Sequence, residues 1–155
     1  MSQQMISNIK WNYGEKGPNY EVNMMIDLAR FEKQFTRAQY LLDSQIMTDM
    51  VPFMPMQTGT FINVTRAMSA AIAGSGKVVA AAPPMGRFLY EGKVMVDEVT
   101  GSPWARKGAK KRVTDRNLDF STAAHGRAQA HWFDAAKAVH GNEWTKQAKK
   151  TAGGG

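Results

Sequence analysis

The sequence predicts an α+β domain: a small mixed or antiparallel sheet packed against one long helix, with short C-terminal helices and a long basic loop. Three observations carry that expectation. Tyr20, Val22, Met24, Ile26 and Leu28 alternate with Glu21, Asn23, Met25 and Asp27, the period of two that a half-buried strand requires. From Ala29 to Met50 there is no Gly or Pro, and Phe31, Phe35, Ala38, Leu42, Ile46 and Met50 recur at spacings of three and four, striping one side of a helix roughly 30 Å long. Beyond residue 100 the chain becomes strongly basic and is punctuated by Gly101, Pro103 and Gly108.

Taken in order, residues 1–19 are polar with Gly14, Gly17 and Pro18 and read as a flexible arm. The domain is expected over 20–150, and the Gly-rich end, 151–155, reads as a disordered tail. Pro52 stops the long helix, because the residue before a proline is pushed out of the helical region. An elbow follows, FMPMQTGTF, in which Thr side chains around Gly59 are placed to cap a short helical turn through Arg66. Met68–Ala73 and Lys77–Ala82, joined by Gly74-Ser75-Gly76, suit two strands of a hairpin. Pro83-Pro84 breaks that pattern, and Met85–Glu91 makes a helical turn closed by Gly92. Val94–Val99 returns to strand, residues 100–116 form the basic loop, and Asn117–Phe120 rejoins the sheet as a short strand. His125–His140 reads as a helix, broken by Gly141-Asn142 before a last short helix around Trp144.

Composition narrows the function. Leu, Ile, Val and Phe make up only 28 of 155 residues, below the fifth that a self-sufficient domain normally exceeds, while eleven Met and four Trp fill part of the gap. Met suits irregular packing and adaptable contacts, so a subunit stabilised by neighbours is expected. Residues 1–100 balance nine Lys/Arg against nine Asp/Glu, whereas 101–155 carry eleven against four, so the whole +7 excess lies in the last third. Such a face is either solvated or meets a polyanion or an acidic protein. With no Cys there is neither a disulfide framework nor a thiolate metal site. No apolar run reaches membrane-spanning length and no leader is evident, so a protein made in the cytoplasm is expected.

Catalytic constellations are weak. His125, His131 and His140 with Asp115, Asp119 and Asp134 are the one candidate cluster, and His131 and Asp134 fall one helical turn apart. The pair of histidines four apart around a Glu that marks zinc hydrolysis is missing. Gly74-Ser75-Gly76-Lys77 is like the end of a phosphate-binding loop, but Ala71 stands where its first Gly would be. No cofactor motif emerges, and the reading is of a non-enzyme.

The contact candidates are two. Phe53, Met54, Met56, Thr58, Phe61 and Tyr90 read as a docking surface for a neighbouring subunit or ring. Arg106, Lys107, Lys110, Lys111, Arg112 and Arg116, beside Trp104, read as a run that neutralises phosphates or grips an acidic partner. No helix-turn-helix or finger signature accompanies that run, so contact with DNA is expected to be non-specific.

In this order the segments resemble the minor capsid, or head–tail connector, proteins of tailed bacteriophages. The likeness spans about Tyr40 to Lys150. It rests on VPFMPMQTGTF with Pro52, Pro55, Thr58 and Gly59, on APPMGRFLYEGKVMVDEVTGSPWARKG with Tyr90, Gly92 and Lys93, and on HWFDAAKAVHGNEW. The resemblance implies a non-enzymatic neck or tail-completion component: a homo-oligomeric ring of six or twelve subunits between portal and tail. It would adjoin other neck, portal or tail terminator proteins and let DNA pass. The alternative from another class is a free, monomeric, non-specific DNA-binding protein, and the weakest is a metal-dependent hydrolase using His131 and Asp134.

Overall fold

The computed structural model describes residues 7–11, 20–24 and 28–153. The architecture is α+β with antiparallel strand pairing. Strands β1 (Ser7–Trp11) and β2 (Tyr20–Met24) pair in the register Ser7↔Met24 to Trp11↔Tyr20. The first five residues of the alternating segment are thus strand as expected, whereas residues 25–27 lie outside the described residues and Leu28 already belongs to the long helix. Five residues of the expected arm form the partner strand, and the rest of residues 1–19 lie outside the described residues.

Helix α1 (Leu28–Met50) matches the predicted long helix. Its stripe is only partly used: Ala38 and Met50 are buried, as is Met47 outside the stripe, and Leu42 and Ile46 are half-buried, but Phe31 and Phe35 stay 47% and 59% exposed. The cause is the partner helix, α4 (Trp132–Thr151), which runs antiparallel to α1 and makes the broadest contact in the fold. Trp144 Nε1 donates to Asp49 Oδ2 at 2.6 Å, and Gly153, just past the end of α4, lies beside Gln34. The first turns of α1 therefore overhang the end of α4. The predicted pair of short C-terminal helices is corrected to one helix. It begins at Trp132, not His125, and passes through Gly141 unbroken. A helical Gly costs about 1 kcal/mol, less than the burial of Trp144 and Ala136 against α1 returns.

Pro52 turns the chain through a 3-10 turn, Val51–Phe53, closed by Met54 N–H on Val51 O at 3.1 Å. Helix α2 (Thr60–Ala71) starts after Gly59, whose φ of 79° favours glycine, and it outruns the short turn expected. Thr58 Oγ1 lies 3.5 Å from Thr60 N, at the limit of a cap. The predicted hairpin over 68–82 is not formed: Met68 to Ala71 belong to α2, as their Ala content permits, and 77–82 is irregular. Side chains of α2 replace the missing ladder. Buried Ser69 donates to Val79 O at 3.0 Å and accepts from Val79 N at 2.9 Å, and buried Thr65 accepts from Ala82 N at 3.2 Å.

The Gly74-Ser75-Gly76 reversal does form. Buried Asp43 of α1 accepts the N–H groups of Gly74 and Gly76 at 2.8 and 3.1 Å, fastening the turn to the long helix. Pro83-Pro84 is a cis peptide and leads into α3 (Gly86–Glu91), closed by Gly92 at φ 64° as expected. A Cβ on Gly92 would stand 2.6 Å from that of Ala130.

Strands β3 (Lys93–Asp97) and β4 (Lys111–Asn117) then form an antiparallel hairpin with an irregularity between Lys93 and Met95. Part of the expected basic loop is therefore strand, and the loop proper is shorter, from residue 98 to 110. Of the strand expected over Asn117–Phe120 only Asn117 is strand, the last residue of β4; residues 118–120 are irregular, with Leu118 N–H bonded to Gly92 O at 2.8 Å.

The core joins Met47, Met50, Phe53, Met54, Ile62, Trp132, Ala136 and Trp144. Trp132 is fully buried, donates from Nε1 to Ala80 O at 2.8 Å, and meets the rings of Phe61 and Tyr90 edge-on. Met and Trp supply the volume that the scarce branched residues do not. No helix among the described residues is long and apolar enough to cross a membrane.

Candidate functional site

The predicted elbow divides. Phe53 and Met54 are 4% and 0% exposed and sit in the chain's own core, so as surface docking residues they are corrected. The apolar character that singled them out serves folding: Gln129 N–H bonds Phe53 O at 3.1 Å, and His125 Nδ1 bonds Met54 O at 2.8 Å, tying the 121–131 segment to the elbow. Tyr90 is half-buried against Trp132 and His131. Burial first, and then the Asp134 carboxylate, push its phenol above the ordinary value of 10.0.

Met56, Thr58 and Phe61 do share a surface. With Met85, Leu89 and Phe120 they line an apolar groove of about 460 Å³. Residues 55–62 form one side, Pro83-Pro84-Met85 another, and Leu118 to Ser121 the third. Asp119 is the one charged residue in the lining. The third side escaped sequence reasoning because it comes from a segment read as strand. Exposed Met85 beside two prolines was the available signal.

The basic residues gather on the β3–β4 hairpin, and all six are exposed. Arg106, Lys107 and Lys110 lie in the loop, and Lys111, Arg112 and Arg116 on β4. Lys111 Nζ donates to Pro103 O at 3.2 Å and stands 5.2 Å from the centroid of the Phe88 ring. Arg106 Nε is 3.4 Å from Asp97 Oδ2.

Asp97 organises the loop, and it was missed from sequence. Fully buried, it accepts the N–H groups of Val99 and Thr100 at 2.8 and 3.0 Å through Oδ1, and that of Arg106 at 3.4 Å through Oδ2. Its own N–H bonds Ser102 O at 2.7 Å. The N–H groups of Thr100 and Val99, then Arg106, hold its carboxyl well below the usual carboxylate range. The legible signal was an Asp at a strand end before Thr100-Gly101. At the tip, Trp104 and Val99 are 88% and 79% exposed, the most exposed large apolar side chains among the described residues.

Tip and groove lie at opposite ends of the hairpin. The Asp97↔Lys111 pair adjoins the loop, whereas Leu118 and Asp119, next to the Lys93↔Asn117 pair, belong to the groove. Seven residues of strand, roughly 20 Å, separate the tip from Leu118 and Asp119, while α3, which carries Leu89 of the lining, comes nearer the loop through Lys111, whose Nζ meets both Pro103 O and the Phe88 ring.

The three histidines lie apart, each with its own partner. His125 binds a backbone oxygen, His140 stacks on Trp144, and His131 Nε2 lies 3.9 Å from Glu91. Among the described residues no three His, Cys, Asp or Glu are grouped to hold a metal. The N–H groups that gave Gly74-Ser75-Gly76 its likeness to a phosphate loop are occupied by Asp43. No family model, no curated protein and no solved structure matches this chain.

Proposed function

We propose that this chain is a structural subunit of a bacteriophage neck, a head–tail connector or tail-completion component. In this reading it closes into a ring of six or twelve copies between portal and tail, DNA passes through the ring, and the chain performs no reaction of its own. Its place is the virion, and the host cytoplasm before assembly. The observation that carries the reading is a hairpin, β3–β4, whose six exposed cations stand apart from the hydrophobic core. Such an element suits backbone contact without base reading, as a duplex that must slide requires. The motifs around Pro52–Gly59 and Tyr90–Lys93 give the reading its phage context.

Electron microscopy of virion necks and of the purified protein tests it. Density for this chain between portal and tail, together with rings in solution, is the expected result. A protein monomeric at all concentrations and absent from virions overturns it. The same cations favour a second reading, a free monomer that binds DNA non-specifically. A salt-sensitive gel shift by the monomer would support that alternative, whereas binding seen only after assembly would not.

A further inference from the structure

We propose that the hairpin tip of one copy, with Trp104 and Val99, seats in the apolar groove of the next copy, the residue pair acting as the knob of a head-to-tail contact. The inference rests on the ring reading and names its seam.

Four observations carry it. A Trp exposed to 88% is unusual on a free surface, while Trp is the residue most often found to anchor an interface. The tip is ordered before any contact: Asp97 holds the backbone at Val99, Thr100 and Arg106, Ser102 Oγ accepts from Trp104 N at 3.1 Å, and Lys111 fixes Pro103. Docking then forfeits little loop entropy. The groove, at about 460 Å³, lies in the range that holds a drug-sized molecule, so its volume admits an indole.

Charge agrees as well. The lining contains no Lys or Arg and one carboxylate, Asp119, while exposed Lys107 and Lys110 follow Trp104 in the same loop. Within one chain the knob stays outside the groove, since Trp104 is 88% exposed. A contact between two unlike patches of the same chain is heterologous, and such contacts generate rings when their rotation closes. The cations divide accordingly: Lys107 and Lys110 belong to the seam, and Arg112 and Arg116 on β4 are left for DNA.

The test uses the absence of native cysteine. Single variants Ala105→Cys, which keeps the Trp104 indole beside the new thiol, and Met85→Cys of the full chain are mixed and oxidised, and the double variant is oxidised alone. Expected are a mixed disulfide dimer from the pair, far above either variant alone, and a ladder of oligomers from the double variant. In sedimentation velocity, Trp104→Ala should weaken association about 30-fold or more while its circular dichroism stays that of wild type. Two results overturn the knob but leave the ring: a wild type that forms rings while the cysteine pair gives no mixed cross-link and Trp104→Ala still assembles, or a Trp104→Ala protein that assembles normally but loses DNA binding, which would make Trp104 a base-stacking group. A wild-type chain that never assembles and is missing from virions overturns both.

Discussion

The helical body and the β3–β4 hairpin are built on opposite principles. In the body, apolar volume does the work: Met47, Met50, Met54, Trp132 and Trp144 interlock, and polar side chains such as Asp43, Thr65 and Ser69 are buried with their hydrogen bonds satisfied. In the hairpin, β4 buries no residue, Val113 is half exposed, and the loop is held mainly by one ionised carboxylate. One region fixes a shape and the other presents a surface. Substitutions should therefore separate stability from contact along this boundary.

The largest effect belongs to the body. Trp132→Ala should cost about 3–5 kcal/mol, a large share of the stability of an ordinary domain, read as a shift in the urea midpoint. A loss no greater than that of a hairpin variant would erase the contrast. Next, Asp43→Ala leaves the Gly74 and Gly76 N–H groups without their acceptor and should cost about 2 kcal/mol in the same titration. An unchanged midpoint would mean that the turn is not fastened to α1 in solution.

Asp97→Asn should act locally. Exchange protection at Val99 and Thr100 is expected to fall while that of the α4 amides is unchanged. Acid should do the same to the wild type. Because folding lowers the Asp97 pKa from 3.8, the ionised carboxylate favours the folded loop. That contribution is complete above the unfolded value and is lost as pH falls below 3.8 through the lower folded value. Val99 and Thr100 amide shifts should hold steady on acidification to about pH 4 and move only below it, and movement centred higher would contradict the depressed pKa. The smallest effect on stability is expected of Arg112→Ala with Arg116→Ala, within about 0.5 kcal/mol. If these residues touch DNA, the logarithmic salt slope of binding should flatten by up to about 0.9 per lost contact. An unchanged slope would assign them to protein.

How far the chain could be read depended on which forces were local. The span of α1 and its stop at Pro52 were legible because propensity and proline chemistry act on neighbouring residues. So was the closure of α3 by Gly92. Helix α4 was not: Gly141 signals a break, and only packing on α1 carries the helix through it. The segment 77–82 was misread because its partner is a row of hydroxyls on α2 and not a strand. Strand β4 was hidden by composition, since KRVTDRN lacks the apolar alternation that marks a half-buried strand. Phe53 and Met54 looked like an interface because an apolar residue beside a proline reads alike in a core and on a surface. The groove needed three separated segments, a proximity that no local pattern encodes.

The dependence of the tip on Asp97 has a practical consequence. Since the anchor sits at the end of β3 and the return strand begins at Lys111, the intervening residues are a replaceable cassette. A foreign sequence beginning with the same turn after Asp97 should be accepted there without refolding the rest, making the tip a site for an affinity label or for a binding specificity of choice.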